Sequence, residues 1–262
     1  MDNWKKEWAN LKVEESQFLM SHDKKKDNPF YSAMDKVIPE KLQNTIEVAF
    51  NKAFEVVFEM GTPVIEKTYD KKKAKGKFYR NSYALQKKES KENLNKFKAD
   101  ARKTKNLNMT VAAVEGAGFG MFGVVVPDIP IFTGVLLRSV YEIAMQYGFS
   151  YKTEKEQIFI LKVMETALLK GEEQHLANSK INQFIDDGTE FGITKEEQMK
   201  QTAQSLSNAL LYMKCIQNIP IVGVVGGATD VLVLHQITKY ADLKYHRRFI
   251  QKTYFQKKED KE

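Results

Sequence analysis

The residues that could do chemistry in this chain are the polar ones that interrupt apolar runs. Glu115 stands just ahead of a cluster of glycines and Asp128 just after it. Arg138 and Glu142 follow, four residues apart and therefore on one face of a helix. Asp230 closes a second glycine-rich stretch, and His235 lies about a turn further on. A carboxylate or guanidinium in apolar surroundings needs a partner, so Glu115, Asp128, Arg138 and Glu142, with Asp230 and His235 beside them, form a candidate polar network. Such a network fixes the register of a tight hairpin, or it builds a polar pocket beside exposed backbone that holds a small anion or headgroup. For His235 the plainer reading is a satisfied core histidine, and the sharper one acid–base work. No catalytic residue is assigned.

Other chemistries lack their residues. The four histidines, at 22, 175, 235 and 246, are too scattered for a metal site, and the lone Cys215 forms no disulfide framework. Gly116-Ala-Gly118-Phe-Gly120 is followed by neither the lysine of a P-loop nor the strand–helix unit of a dinucleotide fold. Neither a Gly-x-Ser-x-Gly elbow nor a His-Glu-x-x-His pair occurs. No cofactor or metal is expected.

The elements that must position these residues read as helices throughout. Trp4, Trp8, Leu11, Glu15, Phe18 and Leu19 step at helical spacing, with Glu15 the one polar member. This suits an interfacial helix with Trp4 and Trp8 as membrane contacts, or, more plainly, a helix packing both indoles on the core. The polar run 21–29 reads as a loop. From Pro39 an apolar stripe runs Leu42, Ile46, Ala49, Phe50, Ala53, Phe54, Val57, Phe58, stopped by Gly61 and Pro63. Further helices are expected over 129–147, from a Thr153–Glu156 capping box to about Lys170, over 172–187 and 194–216, and from the second glycine stretch through Arg248. His246-Arg247-Arg248 reads as a basic patch or a solvated helix end.

Gly116–Val126 and Ile219–Thr229 are uncharged but short of the roughly 20 residues that span a bilayer. Gly116/Gly120 and Gly223/Gly227 are small-xxx-small pairs, which let helix backbones approach closely. The expected fold is all-α: one multi-helix domain with a central glycine-rich helical hairpin and a second glycine-rich helix packed on it. Residues 1–28 form an N-terminal amphipathic helix and loop, 29–255 the helical domain and 256–262 a charged tail.

Charge is uneven along the chain. Residues 1–110 hold 24 basic and 16 acidic residues, whereas the remainder is close to neutral. The excess peaks at Lys67–Lys105, with fifteen basic residues against four acids. Lys71, Lys72, Lys73, Lys75, Lys77 and Arg80 are its densest part and the candidate anion- or lipid-binding residues. Tyr69, Phe78, Tyr79, Tyr83 and Phe97 are interleaved, as base stacking would use. Lysine dominates over arginine, which favours generic anion binding over sequence-specific readout.

Glu115-Gly116 with the glycine run, Pro127-Asp128-Ile129-Pro130, Leu137-Arg138, Ile143-Ala144 and Tyr147-Gly148 resemble the central signature of the EcsC protein family. Ile219-Pro220 through Gly227-Ala228 and Asp230, then Tyr240-Ala241 and Tyr245-His-Arg-Arg-Phe249, are similar to its second block. The resemblance implies a bacterial protein linked to membrane processes, since the family takes its name from an operon that also encodes an ABC transporter; it implies no established activity. The expected function is a non-enzymatic helical protein at the cytoplasmic membrane face, an accessory factor for transport or secretion. It would bind anionic lipid or a membrane protein, with an ABC transporter system as the partner the resemblance suggests. The polar, charged start carries no signal peptide pattern, so the expected location is the cytoplasm, peripheral on the inner face. The alternatives are an enzyme with a pocket near Asp128, Arg138, Glu142 and His235, and non-specific nucleic-acid binding by residues 67–105.

Overall fold

In the computed structural model, residues 3–26, 38–61, 80, 92–93, 128–216 and 228–255 are described. They form an all-α domain of seven helices, with no strand among them. These are α1 (Asn3–Lys26), α2 (Glu40–Val56), α3 (Asp128–Gln146), α4 (Glu154–Leu168), α5 (Gly171–Asp187), α6 (Lys195–Ile216) and α7 (Ala228–Ile250). A π-helical turn extends α2 over Val57–Gly61, and another extends α7 over Gln251–Phe255.

Local chemistry sets several of the boundaries. Thr153 is extended, and its hydroxyl accepts the Glu156 N–H at 3.3 Å, which starts α4. Thr194 and Glu197 form a reciprocal capping box at α6: the Thr194 hydroxyl accepts the Glu197 N–H at 3.2 Å, and the Glu197 carboxylate accepts the Thr194 N–H at 3.1 Å. At the end of α3, Gly148 (φ 82°) donates to the Met145 carbonyl and Phe149 to that of Ala144, a Schellman closure.

The expected stripe of α2 is buried at Ile46, Ala49, Phe50, Ala53, Phe54 and Val57. α6 packs on α2 and α4, and α3 packs on α2. At the centre, α7 touches α1, α3, α4, α5 and α6. Every side chain from Tyr240 to Arg247 is buried, so this half of α7 has no solvent face. A helix that central must satisfy each polar group inside the protein.

Two expectations are corrected here. The polar run after Met20 continues α1 to Lys26. Its side chains find partners within the helix and beyond it: the Ser21 hydroxyl donates to the Phe18 carbonyl one turn back at 2.7 Å, the His22 ring meets the same carbonyl at 2.7 Å, and Asp23 lies 3.0 Å from His175 on α5. His246-Arg247-Arg248 is neither a surface patch nor a solvated end; His246 and Arg247 are buried, and Arg248 is partly so. The glycine segments 116–123 and 223–227, and the packing expected of them, lie outside the described residues.

Candidate functional site

Of the network read from the sequence, Arg138–Glu142 is present. The Arg138 Nε donates to Glu142 Oε1 at 3.1 Å, with Glu142 buried on α3. Asp128 opens α3 and Asp230 lies in the first turn of α7. His235 is exposed on α7 rather than buried in the core, so the core-histidine expectation fails. Glu115 lies outside the described residues, as do Lys71, Lys72, Lys73, Lys75 and Lys77. Arg80 is exposed. Trp4 is 3 % exposed and packs on Tyr254 and Phe249, with ring centres 6.0 and 6.2 Å away. Trp8 is half-buried between Phe255 and the Arg247 guanidinium. For both indoles the packing alternative holds.

The larger ionic constellation lies elsewhere, where α1 and α5 close over α7. Glu15, the lone polar member of the inner stripe of α1, is buried. Its Oε1 accepts from the amides of Asn178 at 3.0 Å and Asn182 at 2.8 Å, both on α5. Its Oε2 lies 3.0 Å from Lys244 Nζ and 3.6 Å from Arg247. Lys244 is 0 % exposed and also donates to Asn182 Oδ1 at 2.8 Å. The Tyr240 hydroxyl donates to Asn178 Oδ1 at 2.8 Å, and Arg247 forks onto Asp186. Eight residues earlier on α1, the Glu7 carboxylate faces His246 at 3.6 Å.

A second clamp lies toward α4. Arg248 Nη1 reaches both oxygens of Glu156 at 2.8 and 2.9 Å, and the Tyr245 hydroxyl donates to one of them at 2.6 Å. The guanidinium is 4.4 Å from the ring centres of both Phe149 and Phe159. One guanidinium nitrogen thus bridges both carboxylate oxygens while the flat face of the group stacks between the rings, a combination that a lysine ammonium does not offer.

Electrostatics follow from burial. Desolvation alone would raise the Glu15 pKa, but the Lys244 ammonium and the two asparagine amides outweigh it and hold the carboxyl at about 2. Lys244 is lowered to about 8 by burial, against the opposing pull of Glu15. Burial first, and then the nearby carboxylates Glu15 and Glu156, raise Tyr240 and Tyr245 well above the usual phenol range. These groups are matched to one another and closed to solvent. Their chemical work is to lock α1, α5 and α4 onto α7 at one register.

Sequence reasoning overlooked this lattice although two signals for it exist. Glu15 interrupts an apolar stripe. Lys244 falls in another, continuing Ile237, Tyr240 and Ala241 at helical spacing. An open cleft of about 250 Å³ lies nearby, floored by Ile158, Phe184, Phe191 and Ile193 and rimmed by an exposed Lys155–Glu190 pair at 3.1 Å. No described residues form a metal-binding group, and no described helix is long and apolar enough to cross a membrane.

The described residues define an all-α domain organised about α7, whose second half is enclosed by the other helices. The chain belongs to the EcsC protein family, whose profile matches residues 5–250. It is similar to "Uncharacterized protein YdbA" of Bacillus subtilis (strain 168), 27 % identical over 143 residues, which are 53 % of this chain and 53 % of that protein. It is also similar to "Protein EcsC" of the same organism, 26 % identical over 156 residues, 58 % of this chain and 64 % of that protein. The matched part thus spans about half to somewhat under two thirds of these relatives. No solved structure matches the chain.

Proposed function

We propose that this protein is a non-enzymatic helical factor of the cytoplasmic membrane face, an accessory to transport or secretion that adheres to anionic lipid headgroups or to a membrane protein seated among them. The observation that carries this reading is the charge asymmetry: fifteen basic residues against four acids over Lys67–Lys105, in a chain otherwise near balance. Each lysine held near an anionic leaflet contributes about 1 kcal/mol, so a few engaged at once give firm, salt-sensitive adhesion. The described interior supports the same direction. Glu15, Lys244, Arg247, Glu156 and Arg248 are spent on one another, which leaves the surface as the place where the protein meets its partners. Family membership fits this setting, because the resemblance implies a link to membrane processes.

Co-sedimentation of the full chain with phosphatidylserine-containing vesicles tests the reading. Binding is expected at about 50 mM salt, with release as the salt rises and the Debye length shortens. Phosphatidylcholine vesicles should retain little. Indifference to anionic vesicles at low salt overturns the lipid reading. Retention on duplex DNA that anionic lipid fails to displace hands the segment to nucleic-acid binding instead, with the log–log salt slope giving the number of phosphates neutralised.

A further inference from the structure

The burial of Trp4 inverts the orientation an interfacial helix would have, and so directs attention to the opposite face of α1. That face carries Val13, 55 % exposed, and Met20, 59 % exposed. Seven residues is close to two turns, so the two side chains stand in line along the helix, and Lys6 extends the same line toward the N-terminus. Lys5 and Lys12, also seven apart and both exposed, run parallel to it about a quarter-turn round. The four acids of α1 are placed otherwise. Glu7 and Glu15 are buried, Asp23 is tied to His175, and Glu14 is half-buried at the flank. The face of α1 turned away from the core therefore shows Lys6, Val13 and Met20, with Lys5 and Lys12 on one flank, Lys12 5.4 Å over the Trp8 ring, and the one open carboxylate, Asp23, near the C-terminal end and paired with His175.

We infer that this face of α1 is a docking surface for an anionic lipid bilayer, lying parallel to the membrane with Val13 and Met20 at the acyl boundary and Lys5, Lys6 and Lys12 among the headgroups. The inference rests on the membrane reading given above and adds a specific surface to it, distinct from Lys67–Lys105. Charge complementarity selects the occupant. A negatively charged plane suits three lysines gathered in the N-terminal half of α1, where Glu7 is buried and the open acid Asp23 lies more than two turns away, and shallow burial suits two apolar side chains standing in line. The indoles do the complementary task. Trp4 and Trp8 hold the helix to the body, so α1 docks as part of a rigid domain and loses little ordering entropy on binding.

The test places a polarity-sensitive dye on the full chain through Met20→Cys in a Cys215→Ser background, with Gln204→Cys on the exposed side of α6 as reference. With phosphatidylserine vesicles, emission at position 20 should shift to the blue while that at 204 stays put. Unlabelled Lys5→Gln/Lys6→Gln should bind these vesicles about fivefold more weakly per lysine at low salt, with an unchanged melting temperature. Sedimentation with the vesicles but no shift at position 20 overturns this inference and leaves the Lys67–Lys105 reading standing. Failure to sediment at all overturns both.

Discussion

Glu15 and Lys244 show how a buried pair makes stability depend on pH. The folded-state pKa of Glu15, about 2, lies below its ordinary 4.5. Its contribution is therefore present above pH 4.5 and is lost as pH falls toward 2, on the order of 3 kcal/mol in all. Glu15→Gln should flatten that acid limb in urea unfolding followed from pH 6 to pH 2; an unchanged slope would place the acid sensitivity elsewhere. Lys244 has the opposite sense. Its folded pKa of about 8 lies below 10.5, so between those values the unfolded chain binds more protons and stability rises with pH. Removing one partner is harsher than removing both. Glu15→Ala leaves an uncompensated buried ammonium and should cost about 3–5 kcal/mol, whereas Glu15→Leu/Lys244→Met should recover much of that loss. If the double variant is no more stable than the single one, the two groups are not coupled.

At the scale of elements, capping is where sequence and structure agree most closely. Thr153 caps α4 as read, although the Glu156 carboxylate turns to Tyr245 and Arg248 instead of completing the box, and a reciprocal box forms at Thr194–Glu197; Thr194→Ala should lower stability by about 1 kcal/mol, read as a shift in urea midpoint at constant m. Gly188 closes α5 at φ 79° with nothing within 4 Å of a Cβ built there. Gly188→Ala should therefore cost about 1 kcal/mol through backbone conformation alone. The stripe of α2 was legible for the same reason as the caps: its pattern is local. The end of α1 was not, because Ser21, His22 and Asp23 look like a loop by composition and are held by groups that include His175, far along the chain. His246-Arg247-Arg248 failed likewise. A basic tripeptide near a helix end is solvated by default, and only partners on α1, α4 and α5 make it internal. Arg138–Glu142 was readable because its partners are four residues apart; Glu15–Lys244 was hidden because they are 229 apart.

At the scale of the whole molecule, charge and packing divide the chain differently. The net positive charge lies in the first 110 residues, whereas the helix that organises the described body is near the other end. The N-terminal helix joins the two, since α1 presents lysines outward and sends Glu7 and Glu15 inward to α7. Because α7 packs on five other helices, displacing any of them exposes part of it. Amides from Tyr240 to Ile250 should accordingly exchange with solvent deuterium only through global unfolding, with exchange free energies equal to that from urea denaturation. Amides in the first turn of α6, where Glu196 and Glu197 face solvent, should exchange through smaller openings. In Lys244→Met the α7 amides should remain the slowest, because aromatic packing by Tyr240, Tyr245 and Phe249 persists. Early exchange across 240–250 in the native protein would show that α7 opens apart from the rest.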